Sequence, residues 1–414
     1  MKYQAVSAKA DTFGRWIAIA LGFSIPLSTA ADNILIGALV LCWVLSAGFL
    51  DKWQTVRDNP VAWLALGLFL LLCIGLLYGE RYPGDGLHYL GKYKELPLIA
   101  LLLPLLRHPQ MRRFAVLALA TSLVLTLLVS YAIAMGLLPQ YAFITVKDLY
   151  PRSFYPVSFK LSLTHNILMA FGAFLFALLA RHATDYRMRL TWAALALLAV
   201  GNVLFMVQGR TGYLILGALL LYFLASAWRW KGVAVALVLG FVLSAAAYYG
   251  SATFRTRIQT AAQEYSAWQP GKRSETSVGE RLDWYMNSLR IIREHPFLGV
   301  GTGGFTKAYT ELVPNSKPEE ARNPHNEYLL ITAQLGLTGL ALLLGLFLLQ
   351  WRQAPRLPTL LETQLARGLV ITMMTGCLFN SLLLDHTESL LYAWMSALLY
   401  SGLRPNSENT RIAT

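Results

Sequence analysis

Charge is what this 414-residue sequence has least of. Asp, Glu, Lys and Arg make up 14% of it, where a soluble domain carries about a quarter. With 56% hydrophobic residues and a mean hydropathy of +0.48, a soluble enzyme is excluded. Long polar stretches are equally scarce: apart from one loop at 251–325, no segment could form a separate water-soluble domain. The three cysteines, Cys42, Cys73 and Cys377, lie inside apolar runs, so neither a disulfide framework nor a metal-ligand spacing can be read from them. The loops carry no Asp-x-Asp and no His/Asp/Glu cluster spaced to hold a divalent cation. Internal repeats and low-complexity tracts are missing too.

What is present is a series of apolar runs, at 13–30, 33–50, 60–78, 94–106, 114–135, 161–180, 190–208, 212–228, 232–250, 328–350, 367–384 and 388–402. A run of about 18 residues or more can cross some 30 Å of hydrocarbon as a helix. The fold class is therefore an all-α polytopic membrane protein of about twelve transmembrane helices. Residues 1–250 hold helices one to nine. Residues 251–325 form one large loop with two helices, and 326–414 hold helices ten to twelve and a short tail. Eighteen Lys and Arg residues, from Lys2, Lys9 and Arg15 to Arg404 and Arg411, fall in one set of alternate gaps. Seven fall in the other: Arg81, Lys92, Lys94, Lys147, Arg152, Lys160 and Arg210. Since basic residues concentrate in short cytoplasmic loops, both termini are expected in the cytoplasm and the large loop on the outer face. Topology thus accounts for most of the net charge of +13, with no nucleic-acid partner implied. The start resembles a cleavable signal peptide, but the tight Ala31-Asp32-Asn33 connection to the next run favours retention as the first span.

The outer loop contains two helical patterns. Phe254, Ile258, Ala261, Ala262, Tyr265 and Trp268 recur at spacings of three and four, which suits a helix lying along the membrane or the bundle. The second helix, about 279–294, places Leu282, Tyr285, Met286, Leu289 and Ile292 on one side and Asp283, Asn287, Arg290 and Glu294 opposite. Arg281 falls on the apolar side and near the helix N-terminus, where the dipole disfavours a cation. It should have an anionic partner, unless it snorkels from the first turn. The glycine string Gly299-Val300-Gly301-Thr302-Gly303-Gly304 follows a helix rather than a strand, so tight turns packed on the bundle explain it better than a phosphate cradle.

Four further positions face the same side. His325 and Asn326 follow Pro324 at the entry to the tenth span, and a neutral histidine there can accept a proton from a hydroxyl; a plain hydrogen-bonding role is the alternative. Arg210 is the sole charge of a short hairpin, Gln208-Gly209-Arg210-Thr211-Gly212, and is either an interface anchor or an anion site. Asp385, between the last two spans, could cap a helix, orient a base or do nothing chemical. His165, Asn166, Asn202 and Asn380 are most simply interhelical hydrogen bonds. With Lys92, Lys94, Arg152 and Lys160 on neighbouring loops, the outer face suits a phosphorylated lipid.

His325-Asn326, nine residues, then Gly336 resembles the His-Asn-x9-Gly signature of bacterial O-antigen ligases. Gly209-Arg210-Thr211-Gly212 resembles their Arg-Thr-Gly hairpin, and Arg281 through Gly304 their Arg…His-Pro-x-x-Gly-x-Gly segment. The resemblance covers about 200–400 and the span layout; the first half matches only in hydropathy. It implies a GT-C-like membrane glycosyltransferase of the Gram-negative inner membrane, working at the periplasmic face without metal or cofactor. Such an enzyme moves a preassembled glycan from undecaprenyl diphosphate to a sugar hydroxyl of lipid A-core, with inversion. His325 would be the general base, and Arg210 and Arg281 would bind the diphosphate. Asn326, Lys92, Lys94, Arg152 and Lys160 would contact substrate, and Asp385 would partner His325 or the acceptor. An O-antigen polymerase, a protein O-oligosaccharyltransferase and a lipid-linked glycan transporter are the rival readings, the last expecting midplane charges and related halves. The glycan, the accepting sugar and the oligomeric state are not legible.

Overall fold

The computed structural model describes residues 2–139, 156–207, 209–270, 272, 274–313, 316 and 322–403. Arg152 and Lys147, among the basic residues above, lie outside the described residues, as do Gln208, Arg404 and Arg411. Every regular element described is helical. In chain order they are α1 (Lys2–Ser24), α2 (Thr29–Leu45), α3 (Phe49–Arg57), α4 (Pro60–Ile74), α5 (Asp85–Lys92), α6 (Glu95–Leu106), α7 (Pro109–Ala134), α8 (Ser162–His182) and α9 (Tyr186–Gly201). A π-helical turn (Asn202–Met206) follows, then α10 (Arg210–Gly250), α11 (Ala252–Ala267), α12 (Ser277–Glu294), α13 (Phe305–Leu312), α14 (Glu327–Gln353), α15 (Leu360–Cys377) and α16 (His386–Tyr400).

Each apolar run of the sequence coincides with a helix. Two of them share α10, which breaks at Trp228 and Arg229, where the backbone leaves helical values. Among the described residues five helices are long and apolar enough to cross a membrane alone: α7, α8, α9 with its π turn, α10 and α14. The pair α2 and α3, bent by 115°, makes a sixth if counted as one span. Three short helices, α3, α5 and α13, were not expected. The last makes three helices in the large loop rather than two. It forms because Phe305, Thr306 and Tyr309 bury one side of a two-turn segment, a pattern too brief for periodicity to register.

The apolar window of α8 is 78% buried whereas those of α9 and α10 are 17% buried, so α8 lies at the centre and the other two show their side chains outward. Buried α16 packs on α6, and α14 on α4 and α15. Small residues make these approaches possible, as in other membrane bundles. A Cβ on Gly22 would lie 2.1 Å from the Trp394 ring, and the Trp394 indole donates to the Ala18 carbonyl at 2.7 Å.

The glycine string is a packing device. The chain from Pro296 to Gly303 inserts against α14: Val300 N donates to Ala333 O, Gly301 N to Gln334 O and Leu337 N to Pro296 O, at 2.8–2.9 Å. These bonds replace helical ones, and α14 breaks at Gly336, whose φ of 66° is cheap only for glycine. Thr302 N meanwhile donates to Gly75 O at the end of α4. The insertion clamps the start of α14 in place, and that is where the histidine sits.

Candidate functional site

Asn326 is the N-cap of α14, its side chain accepting from Leu329 N at 3.0 Å. His325 therefore precedes the helix rather than occupying its first turn. Its φ is 52°, a left-handed conformation that costs a residue with a Cβ about 1 kcal/mol or more. Three partners hold it there. His325 N donates to Asn323 Oδ1 at 2.8 Å; the same oxygen accepts from Ser381 Oγ at 2.7 Å; and Tyr285 of α12 donates to Leu378 O at 3.1 Å, beside the carbonyl of His325. Asn326 Nδ2 bonds the same Leu378 carbonyl at 3.0 Å. The imidazole lies 5.0 Å from the Trp284 ring, centroid to centroid. Burial, and then the Arg281 guanidinium, push its pKa down to about 4. At neutral pH the ring is uncharged and able to take a proton.

Arg281 is half-buried on the Tyr285 side of α12, where it acts electrostatically on both His325 and Tyr285. Arg210 is the first residue of α10. Arg281 and Arg257 repel it and Glu264 attracts it. Among the described residues neither Arg210 nor Arg281 has an ion-pair partner within 4 Å. Arg210 thus stands near Arg281, Arg281 acts on the neutral imidazole, and Glu264 attracts Arg210 from beyond ion-pair distance. A partly buried group of cations costs free energy unless an anion joins it. Diphosphate, with planar forks to grip its oxygens, fits that demand.

The hairpin that carries Arg210 rests on residues given no chemical role in the sequence. Asn166 of α8, fully buried, donates to Val207 O at 2.8 Å. A Cβ on Gly209 would lie 2.7 Å from its side chain and one on Gly212 2.2 Å. The two glycines therefore let the hairpin settle onto Asn166. On the other flank Asn380 donates to Thr211 Oγ1 at 2.7 Å. The preceding π turn is fixed by Asn202, bonded to His165 at 3.1 Å and to Ser130 at 2.8 Å; π turns recur at functional sites.

Asp385 is placed elsewhere. It precedes α16 without capping it, and it is not hydrogen-bonded to His325. Burial raises its carboxyl pKa while Lys92 pulls it back, and Glu327 and Glu388 are its acidic neighbours. Glu327, fully buried, accepts from Tyr93 at 2.8 Å and from Leu383 N at 2.9 Å, so it ties the 378–385 connection to the start of α14. Next to it lies an ionic network. His386 reaches Glu95 at 3.0 Å and Asp32 at 3.5 Å, and Lys160 lies 3.9 Å from Asp32 and donates to Thr29 at 2.9 Å. Lys94 is exposed and within 3.4 Å of Asn33. The structure therefore brings Arg281 to His325 and Asn326 at the entry of α14, with Arg210 near Arg281. Lys160 is committed to Asp32, and Lys92 and Lys94 lie on the Asp385 side.

Trp284, Tyr285 and Asn323 were missed as site residues. Only Asn323 gave a local signal: an Asn-Pro pair at a helix entry favours a side-chain-capped turn. Among the described residues no three His, Cys, Asp or Glu side chains converge as metal ligands would.

Comparison with protein families matches residues 193–344 to the model described as O-antigen ligase. The match takes in the Arg210 hairpin, the whole of the large loop, His325 and the broken part of α14. Comparison with curated proteins gave no match.

Proposed function

We propose, from the premise that residues 193–344 make this chain a member of the O-antigen ligase family, that it transfers a preassembled glycan from undecaprenyl diphosphate to a sugar hydroxyl of lipid A-core. The observation that carries this reading is a pair of neighbouring arginines without an ion pair among the described residues, one of which acts on a neutral, half-buried histidine. A ring nitrogen of His325 takes the proton of the acceptor hydroxyl as its oxygen attacks the anomeric carbon. The bond from that carbon to the diphosphate breaks on the opposite side, which inverts the centre. Arg210 and Arg281 take up the charge that grows on the departing diphosphate. A diphosphate leaves readily, so the paired carboxyl groups of glycosidases are not needed, and the arginines supply what a metal would.

The twelve-span layout, with both termini in the cytoplasm and the 251–325 loop in the periplasm of a Gram-negative inner membrane, belongs to the same proposal. It rests on the eighteen-to-seven distribution of basic residues. Lys92 and Asp385, which interact with one another, are the residues assigned to the acceptor. The test is complementation of a ligase-null strain followed by gel analysis of its lipopolysaccharide. Restored long-chain lipopolysaccharide supports ligase activity. Polymerised glycan left on its lipid carrier would identify a polymerase instead.

A further inference from the structure

At the end of the bundle remote from His325, the chain turns sharply between α2 and α3. Ala47 and Gly48 take left-handed conformations, φ 47° and 63°, and α3 departs at 115° from α2. Lys52 stabilises the turn by donating to Trp43 O and Ser46 Oγ, both at 2.6 Å, a cation on the terminal carbonyls of α2. Phe49, Leu50 and Trp53 of α3 are exposed while Lys52 and Val56 are buried. A short helix that crosses the span direction and shows apolar and tryptophan side chains outward sits at the depth of lipid headgroups.

Between α3, the start of α1 and the end of α6 lies a cavity of about 420 Å³, lined by Ser7, Asp11, Arg15, Asp51, Lys52 and Arg107 among others. Its charges are mixed. Arg15 is bound to Asp11 at 2.6 Å through one terminal nitrogen, but its Nε is buried without a hydrogen bond. Lys52 spends two of its three protons on the turn, and Arg107 is exposed at the rim. Asp51, also exposed, adds a second carboxylate to the lining. An anion alone would meet two carboxylates there, and a cation alone three basic groups. A group with a phosphate beside a primary ammonium satisfies both. An apolar groove of about 690 Å³, lined by Phe13, Trp16 and Leu45, runs along the other side of α1 and shares Ala8 with the cavity. Acyl chains attached to a headgroup in the cavity would lie along it.

We infer that this cavity is a binding site for an aminophospholipid, its phosphate held by Arg15, Lys52 and Arg107 and its ammonium by Asp51. The site is independent of the glycan-transfer reading, since none of these residues lies in 193–344. The test is native mass spectrometry of the detergent-purified full chain, titrated with short-chain phosphatidylethanolamine, phosphatidylglycerol and phosphatidylcholine, and separately with soluble phosphoethanolamine. Phosphatidylethanolamine should bind tightest. Arg107→Gln and Arg15→Gln should each weaken it about tenfold or more, the effect of one charge-assisted contact. Asp51→Asn should remove the preference over phosphatidylglycerol while keeping phosphate binding. Equal retention of all three lipids, unchanged in Arg107→Gln, would overturn the assignment. Soluble phosphoethanolamine binding as tightly as the lipid would overturn the membrane source.

Discussion

Two charged regions lie side by side at one end of this bundle, and they are built on opposite principles. In one, Asp32, Glu95, His386 and Lys160 meet one another at 3.0–3.9 Å, so that each charge has an opposite partner inside the protein. In the other, Arg210 approaches Arg281 and Arg281 approaches His325, with no ion pair to either arginine among the described residues. The first joins the α1–α2 turn, α6 and α16, all outside the region matched to the ligase family. The second joins α10, α12 and the entry of α14, all inside it. Composition alone does not separate them, since both contain histidine and basic residues. Ion pairing does: the first region pairs its charges within the protein, and the second holds two arginines without an ion pair, which is what the proposed diphosphate site requires.

The largest effect should follow from removing the proposed base. His325→Ala is expected to lose about 10²–10⁴ in turnover while donor binding and folding persist, as single-turnover assays and a detergent melting curve would show. Asp32→Ala should do the reverse. Taking one member from a buried ionic network costs about 3–5 kcal/mol, so its melting temperature should fall steeply. An Asp32→Ala protein that melts like the wild type but cannot turn over would erase the distinction drawn here.

The hairpin offers a finer test. Gly212→Ala puts a methyl group into the Asn166 side chain, which should displace Arg210 and raise the KM for donor. Asn166→Ala opens the space, so the double variant Asn166→Ala/Gly212→Ala should bind donor better than Gly212→Ala alone. Additive losses in this cycle would mean the two positions are uncoupled.

How much of this was legible depended on range. Helix positions were, because the signal of an apolar run is local. The break of α14 at Gly336 was not, since it depends on a segment some forty residues earlier inserting beside Ala333 and Gln334. In the same way, Arg281 could be placed on the wrong face for a solvated arginine from the spacing of α12 alone. That Asn166 lies beneath the hairpin of Arg210, or that Asp385 joins Lys92 and Glu327 rather than His325, is a matter of contacts between distant helices. Periodicity carries no information about those.

The smallest effect concerns pH. Because burial and Arg281 hold His325 near a pKa of about 4, the free enzyme keeps a neutral imidazole above that pH. The acid limb of kcat/KM should therefore lie well below the ordinary histidine value of about 6.5. Removing the neighbouring cation favours the protonated ring, so in Arg281→Gln the limb should move upward. A limb near 6.5 in the wild type, unmoved by Arg281→Gln, would dissociate the two residues.

The proposed function rests most directly on whether Arg210 and Arg281 take up a diphosphate. Isothermal titration of the purified protein with a short-chain polyprenyl diphosphate should give saturable binding. That binding should weaken about tenfold or more in Arg210→Gln and in Arg281→Gln and stay unchanged in Arg290→Gln, an exposed arginine on the same helix as Arg281. Equal affinity in all four proteins would contradict the account.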